Sequence, residues 1–301
     1  MPLDKIKTKL TFSGHDTFHC RQLWLKKGYD FLYNGGSFTD PFAIVELGVG
    51  KNMVSSIQFW MKAFGLIDTN NKLTEFATYL FDKNGKDPYL EDEATLWLLH
   101  YKLVTLDVAT LYGLLFNDIR REKIEFTKEA IISFVNRKTE ELEVKAINQN
   151  TLSKDIDVLV KMYLPGHSKQ DKDDIFSGLL TELALIQEEK RKVDDKTWKT
   201  FYSIVGAERS MIPDEIILFA ILENRNFENS ISLYSLEHDQ NMIGNVFTMN
   251  RTGLIDRIDN IAKNKKFKKY GIVFSDQAGV RELQLKKKPN PLEILNSYYV
   301  N

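Results

Sequence analysis

Residues 43–67 read AIVELGVGKNMVSSIQFWMKAFGLI, and this stretch decides the fold assignment. Pro41 can open a short helix that Gly48–Gly50 interrupts, because two glycines so close together favour a tight turn. A second helix starts at about Asn52. Its apolar residues between Met53 and Phe64 recur every three or four positions, so they share one buried face. Helix, tight turn and helix in this order predict a helix-turn-helix.

The continuation of this stretch predicts a small wing and a further helix. Leu66–Ile67 is typical of a short strand, Asp68–Asn71 of a polar turn, and Phe76–Leu80 of the next helix. We therefore expect a winged-helix-like unit at about residues 41–81. The polar side chains of its second helix lie largely outside the apolar face. The predicted DNA contacts among them are Lys51, Asn52, Ser55, Ser56 and Gln58.

The loop Gly48–Lys51 has a second interpretation. Backbone N–H groups at a helix start, with a lysine beside them, favour binding of a phosphate oxygen. The loop is not a Walker A motif, because Val45 and Asn52 stand where that motif needs a glycine and a serine or threonine. The sequence favours the tight turn over nucleotide binding.

The C-terminal third repeats this order of elements. Helical patterns run from Pro213 to Ala262, and strands at Tyr270–Phe274 and Val280–Leu285 then flank a turn at Ser275–Gly279. Basic side chains around this hairpin can neutralise phosphates, which predicts a DNA-contacting winged-helix-like unit. The alternative is a solvated charged surface. The residues concerned are Lys263, Lys265, Lys266, Lys268, Lys269, Arg281, Lys286, Lys287 and Lys288.

The middle of the chain shows a looser version of the same pattern. Thr127 can cap one helix, and Asn150–Thr151 can introduce another that ends before Pro165, which is compatible with a further helix-turn-helix. We expect a mainly α-helical fold of tandem winged-helix-like units with short β-hairpin wings. The predicted domains are residues 1–122, 123–204 and 205–301, and the polar stretch Pro165–Asp174 is a candidate linker.

Composition bounds the classes of protein that remain. With 301 residues, 43% of them hydrophobic and 28% charged, the chain can bury a core in two or three domains. A net charge of -1 means that any binding of nucleic acid depends on a local basic patch. The single cysteine, Cys20, and the lack of an apolar signal or spanning segment predict a cytoplasmic protein with no membrane association.

The densest group of side chains that could bind a metal or take part in catalysis lies between Gly14 and Arg21. His15 and His19 are spaced to share a helix face, but the HExxH glutamate and a distant zinc-ligand pair are missing. A structural or partner-interface motif is therefore favoured over a metal or catalytic site, with Asp16 or Thr17 capping the next helix. The motif residues are Gly14, His15, Asp16, Thr17, Phe18, Arg21 and Trp24.

No nucleophilic arrangement emerges from the sequence. A GxSxG elbow is absent, and adjacency alone does not make His19 and Cys20 a catalytic pair. The paired carboxylates Asp173–Asp174 and Asp194–Asp195 lie in polar stretches and are interpreted as solvated. The sequence thus predicts no enzyme active site, no cofactor and no metal.

Three segments carry a family resemblance: FSGHDTFHCRQLWLKKGYDFL at Phe12–Leu32, the stretch Ala43–Ile67, and LTEFATYLF at Leu73–Phe81. With them the chain resembles the bacterial family known as domain of unknown function 4007. That resemblance implies an accessory protein of mobile or defence loci linked to DNA phosphorothioation or phage exclusion. It also implies a phosphoadenosine-phosphosulfate-reductase-like enzyme as a protein partner. It carries over no catalytic residue.

Three functions compete at this point. The leading hypothesis is a DNA-binding accessory factor of a bacterial DNA-modification or antiviral defence system. The second is a non-enzymatic scaffold whose partner interface includes His15–Arg21 and Trp24, since aromatic and arginine side chains often anchor interfaces. The third is a metal-dependent enzyme that uses His15, Asp16 and His19.

Overall fold

A computed structural model describes residues 10–166, 177–224, 227–277 and 279–299. These residues are mainly α-helical, as the sequence predicts, with small antiparallel sheets of three strands. No single helix in the described ranges is long and apolar enough to cross a membrane. Of the sequence predictions, Asp173–Asp174 and most of the candidate linker lie outside the described residues.

The chain forms two compact units, and neither is a continuous segment. The first comprises Met1–Leu90 and Leu106–Ile204, and the second comprises Glu91–Thr105 and Val205–Asn301. The division at 1–122, 123–204 and 205–301 stays a prediction, whereas packing groups residues 91–105 with the C-terminal segment.

The first unit begins with four helices, the middle two of which are joined by a tight turn. Its helices are α1 (Trp24–Tyr33), α2 (Ala43–Leu47), α3 (Lys51–Ala63) and α4 (Glu75–Phe81). Gly48 ends α2 with φ 59°, a left-handed conformation that glycine adopts without strain, and Gly50 precedes α3. The predicted wing is reduced to a single β-bridge between Ile67 and Leu73, and the side chain of Asp68 holds the turn between them.

The rest of the first unit contains helices and one sheet. The helices are α6 (Thr110–Leu114), α7 (Arg120–Glu122), α8 (Lys128–Glu141) and α9 (Gln149–Tyr163), with a π-helical turn at Leu115–Ile119 and a 3-10 turn at Thr181–Leu183. The strands are β1 (Glu125–Phe126), β2 (Gln187–Lys192) and β3 (Trp198–Ser203), in the order β1-β3-β2. Thr127 caps α8 as predicted, because its side chain accepts from Ala130 N. Asn148 caps α9, so the cap predicted at Asn150–Thr151 is corrected.

The second unit has the longest buried helices. Its helices are α5 (Glu93–Thr105), α10 (Asp214–Glu223), α11 (Leu233–His238), α12 (Ile243–Val246), α13 (Arg251–Lys263) and α14 (Pro291–Asn296). Both α5 and α10 are apolar around their circumference, and most of their side chains are buried, as expected of helices at the centre of a core. Polar groups inside this core have partners: His100 Nε2 lies 2.7 Å from Val246 O, and Thr95 Oγ1 lies 2.6 Å from Tyr299 Oη.

The strands of the second unit form a sheet in the order β4-β6-β5. They are β4 (Ser230–Ser232), β5 (Ile272–Gln277) and β6 (Val280–Leu285). The hairpin β5–β6 agrees with the predicted strand positions, but β5 continues to Gln277 where Phe274 was expected to end it. Its pairing with β6 extends the strand through polar residues that sequence periodicity does not mark. The lysine run Lys265–Tyr270 forms a 3-10 helix, with Phe267 and Tyr270 buried.

Candidate nucleic-acid interface

The exposed part of α3 is its N-terminal turn. Lys51, Asn52 and Ser55 are exposed there, in agreement with their predicted availability for contact. Gln58 is half-buried and donates to Asn71 Oδ1 at 2.9 Å, which ties it to the neighbouring turn. Ser56 is fully buried and donates to Phe18 O at 3.5 Å, so its prediction as a DNA contact is corrected. It faces inward because it lies on the same side of α3 as the apolar residues.

An apolar patch accompanies this turn. Phe42, Ile44 and Val45 have 69%, 39% and 75% of their surface exposed, at and just before α2. Such residues on a helix-turn-helix do not contribute to a core. They are therefore available for a partner.

The predicted basic residues of the second unit divide into two groups, of which the first is paired. Lys266 Nζ lies 2.8 Å from Glu215 Oε1, and Lys269 Nζ lies 2.8 Å from Glu293 Oε1. Two further ion pairs join Lys263 to Asp259, and Arg281 to Asp276. Lys288 donates to Phe227 O at 2.6 Å and lies over the Phe227 ring. These basic side chains are therefore already paired with carboxylates of the protein or, for Lys288, with a backbone carbonyl.

The second group is available to an anion. Lys265, Lys268 and Lys286 are exposed, and none of them forms an ion pair with a side chain in the described ranges. Lys287 is also exposed and contributes to the lowered pKa of Glu293, although the Lys269 hydrogen bond is the main cause of that shift. The patch therefore has fewer positive charges available to an anion than its sequence suggests.

The hairpin β2–β3 has an exposed aromatic and several exposed lysines that were not predicted as a site from the sequence. It exposes Trp198, Lys190, Lys192 and Lys199. Asp194, which was interpreted as part of a solvated carboxylate pair, has a structural role in the turn: its Oδ1 accepts from Lys196 N at 2.9 Å and from Thr197 N at 2.8 Å. The signal available in the sequence was the β-forming run WKTFYS at 198–203 after a polar turn.

The motif around His15 is partly internal. The His15 side chain is stacked on the Trp60 ring with centroids 5.3 Å apart, and Phe59 meets it edge-on at the same distance. Gly14 lies against Phe59, where a Cβ atom would approach the ring to 2.4 Å. Trp60 Nε1 donates to Phe18 O at 3.0 Å, which fixes the motif to α3. The buried part of the motif packs the chain before α1 against the helix-turn-helix.

A buried carboxylate completes the surroundings of His15. Asp155, on α9, lies 3.7 Å from His15 Nε2 and accepts from Ser13 N at 2.9 and 3.1 Å. Burial lowers the pKa of His15 to about 4, against the hydrogen bond to Asp16 O. Burial also raises the pKa of Asp155 to about 6, and the Ser13 N–H opposes this shift. At neutral pH the imidazole is therefore uncharged.

The predicted capping role of this motif is corrected. Helix α1 begins after Leu23 without a side-chain cap, so neither Asp16 nor Thr17 caps it. Asp16 and Thr17 are exposed, and Asp16 has a left-handed backbone with φ 52°. Arg21 precedes the helix, forms a β-bridge with Gly178, and stacks over Trp24 at 5.4 Å. The non-helical residues 18–23, which include the Arg21 bridge, separate the motif from the helix that begins at Trp24.

The arrangement does not bring the candidate metal or nucleophilic groups together. Within the described ranges, no three His, Cys, Asp or Glu side chains are grouped to hold a metal ion. Cys20 is fully buried, and burial raises the pKa of its thiol well above the usual value, which disfavours the reactive thiolate. His19 is buried as well. The geometry thus favours packing roles for His15, His19 and Cys20.

Comparisons with known proteins bear on the whole chain. The family described as "Protein of unknown function (DUF4007)" matches residues 12–299. A crystal structure of magnesium ion-bound SspB has a TM-score of 0.82 and 26% identity, and the match covers 96% of this chain and 88% of that one. Another SspB crystal structure has a TM-score of 0.81 and 27% identity, with the same coverage. No curated protein matches the chain.

Proposed function

The chain belongs to the DUF4007 family, and we propose that it is a DNA-binding accessory protein of a bacterial DNA-modification or anti-phage defence system. The proposal that it works in such a system rests on the sequence resemblance. The proposal that it binds DNA rests on the order of helices and strands in the two units. A phosphoadenosine-phosphosulfate-reductase-like enzyme is the partner that we propose from the same resemblance.

The observation that carries DNA binding is a strand order that occurs in both units. Each sheet consists of a short strand, then helices, then a hairpin whose second strand lies in the middle: β1-β3-β2 and β4-β6-β5. Helices α8 and α9 lie between β1 and its hairpin, and helices α11 to α13 lie between β4 and its hairpin. This is the order of a winged helix, in which the helix before the hairpin enters a DNA groove and the hairpin contacts the backbone. We therefore propose two winged-helix-like units in addition to the helix-turn-helix at residues 41–81.

The second of these units also has a basic surface. Lys265 and Lys268 follow the end of α13, and Lys286 follows β6. The hairpin is thus flanked by side chains whose charge is not neutralised by neighbouring carboxylates in the described ranges. Phosphate contacts from such positions provide affinity and orientation, whereas base contacts would come from the helix.

The experiment is a fluorescence-anisotropy titration of a labelled DNA duplex with the full chain. Counterion release predicts that the affinity falls at least about tenfold between about 50 and about 200 mM salt. A neutral polymer of similar length is the control for nonspecific changes in viscosity. No binding at the lower salt concentration would refute the proposal, and salt-independent binding would refute its electrostatic basis.

A second candidate function, a protein-interaction scaffold, is favoured by the patch Phe42, Ile44 and Val45. In the interface initially expected at His15–Arg21 and Trp24, the aromatic anchor Trp24 is buried, whereas this apolar patch is exposed. Substituting Val45 with serine removes apolar surface without disturbing the core. If the scaffold function holds, the V45S chain binds a purified reductase-like partner more weakly and binds DNA with unchanged affinity. Equal partner binding by both chains would count against this surface.

Catalysis by His15, Asp16 and His19 is the least supported function. His15 is enclosed between aromatic rings, and Asp16 directs only its backbone carbonyl to the imidazole among the contacts described. Retention of biological activity by an Asp16→Asn variant would count further against it.

A further inference from the structure

The hairpin β2–β3 projects beyond the rest of its sheet. Strand β1 pairs with β3 only at Tyr202 and Ser203. From Phe201 to Trp198, β3 pairs with β2 alone. The outer half of the hairpin is therefore a two-stranded ribbon. A ribbon of this kind gains little from packing on a core, so its outer side chains are free to serve another purpose.

One face of this ribbon combines an aromatic ring with positive charge. Directly opposite residues lie on the same face of an antiparallel pair, and Lys192 is opposite Trp198 while Lys190 is opposite Thr200. Trp198 is 65% exposed, although tryptophan is mostly buried in folded proteins. Lys190 and Lys192 are exposed beside it. An apolar ring with two lysines beside it is suited to bind a polyanion that also has apolar surfaces.

Glu188 lies on the same face as Lys190, but it is half-buried opposite Tyr202, at the end of the hairpin away from Trp198. The other acidic residues nearby do not cancel the positive character around Trp198. Asp194 is engaged in the turn through the backbone N–H groups of Lys196 and Thr197. Glu189 pairs with Arg191 at 3.2 Å, on the other face of the ribbon. Asp195 lies 3.9 Å from Lys192 Nζ, but its side chain is fully exposed and such a pair is weak in water. Phosphates can therefore compete for Lys192.

We infer that the β2–β3 hairpin is a DNA-contacting wing, on which Trp198 packs against bases or sugars in a groove while Lys190 and Lys192 bind the flanking phosphates. The inference rests on the proposed DNA binding and assigns it a surface in the first unit. DNA is favoured over a protein partner because the lysines flank the ring on its own face. Among the described residues of the hairpin, Val193 is the other large apolar side chain that is exposed, which is less than a protein interface would need.

The tryptophans of the chain make the inference directly measurable. The four tryptophans are Trp24, Trp60, Trp97 and Trp198, and the first three are at most 5% exposed. Quenching by acrylamide should therefore act mainly on Trp198. On addition of a DNA duplex, we expect the emission of the exposed tryptophan to be quenched and to become protected from acrylamide. The emission of the buried tryptophans is the internal reference.

Substitutions give a second measurement. Trp198→Ala should weaken duplex binding about tenfold, whereas Trp198→Phe should retain most of the affinity because a ring remains. Lys190→Gln with Lys192→Gln should reduce the slope of log affinity against log salt by about 2. Tyr33→Ala is the matched control, because Tyr33 is an aromatic residue of the same unit with 64% exposure. Circular dichroism of each variant checks that it is folded.

The outcomes separate this inference from the proposed function. If anisotropy shows duplex binding but Trp198 emission is unchanged and Trp198→Ala binds like Tyr33→Ala, the wing assignment is overturned while DNA binding stands. That result would instead favour a protein contact for Trp198. If the wild-type chain binds no duplex at low salt, both are overturned. Quenching together with the loss in Trp198→Ala supports the wing.

Discussion

The imidazole of His15 lies parallel to the indole of Trp60, at an angle of 6° and a centroid distance of 5.3 Å. This stack joins the segment GHDTFH, residues 14–19, to α3. Asp155 of α9 closes the other side of the ring. A single neutral histidine thus contacts two of the elements proposed to serve DNA binding.

The first prediction concerns this contact. His15→Ala should lower the free energy of unfolding of the first unit by about 2–4 kcal/mol, because it leaves a cavity beside Trp60 and removes the neighbour of Asp155. Asp16→Asn is the matched control: Asp16 is exposed, and asparagine tolerates its left-handed backbone, so we expect a change within about 0.5 kcal/mol. Urea unfolding followed by circular dichroism measures both. Equal stability of the two variants would show that His15 does not hold the segment.

The second prediction concerns Gly14. A methyl group there would meet the Phe59 ring at 2.4 Å, so Gly14→Ala should cost about 1–3 kcal/mol of unfolding free energy through overpacking. Gly50→Ala is the control, since a Cβ at Gly50 has no neighbour within 4 Å. The thermal midpoints of the two variants distinguish them. Recovery of stability by adding Phe59→Leu to Gly14→Ala would identify the ring as the obstacle.

The third prediction is a pH dependence in the second unit. Burial lowers the pKa of His100 to about 4; the Val246 carbonyl opposes this shift and the charge of Arg209 adds to it. Between about pH 6.5 and about pH 4 the unfolded chain binds a proton at His100 that the folded unit does not, so acidification favours unfolding by up to about 3 kcal/mol. Acidification also destabilises the fold through His15, because its pKa is lowered by folding. The raised pKa of Asp155 has the opposite effect on stability, because the folded chain then binds the proton more readily than the unfolded chain.

The comparison with His100→Gln isolates this contribution. Glutamine can still donate to Val246 O but does not titrate. Urea titrations at about pH 7, 5.5 and 4.5 should show a smaller loss of stability on acidification in the variant than in the wild type. Parallel losses would mean that His100 keeps an ordinary pKa.

The fourth prediction separates free from paired lysines. Glutamine at Lys265, Lys268 and Lys286 should weaken duplex binding and reduce the salt slope by up to about 3, because these side chains are free to release counterions from DNA. Glutamine at Lys263, Lys266 and Lys269 removes the same charge. It should instead destabilise the fold, since buried Glu215 loses its partner Lys266. Anisotropy and urea unfolding of both triple variants test the contrast. Equal losses of affinity would show that net charge alone governs binding.

Local signals in the sequence were enough for the turn between α2 and α3 and for the C-terminal hairpin. Gly48 and Gly50 mark the turn because a tight turn constrains the backbone of the residues that form it. Thr127 marks a cap because its side chain bonds to a backbone N–H only three residues further on. The hairpin β5–β6 alternates apolar and polar residues in its second strand. Turns, caps and alternating strand patterns depend on residues close together in the chain, and these residues can be read directly from the sequence.

Features that depend on distant residues were not predictable. Gln187–Lys192 contains no apolar residue, so nothing local marks it as a strand; its pairing with β3 makes it one. Asp155 lies in a polar run of α9, yet it is buried where Ser13, 142 residues away, donates to it. Lys266 and Lys269 look like free charge until Glu215 and Glu293 are brought beside them.

The placement of α5 has a consequence for the order in which the protein can be made. As the ribosome releases the chain, α5 emerges long before the partners that cover its apolar surface, and the bond from Thr95 to Tyr299 joins residues 204 positions apart. The second unit can therefore complete its folding only after α14 has been synthesised. A gene truncated to residues 205–301 would yield a fragment without α5, and a fragment that ends at residue 204 would carry α5 without its cover. Supplying both pieces together would be needed to restore the unit.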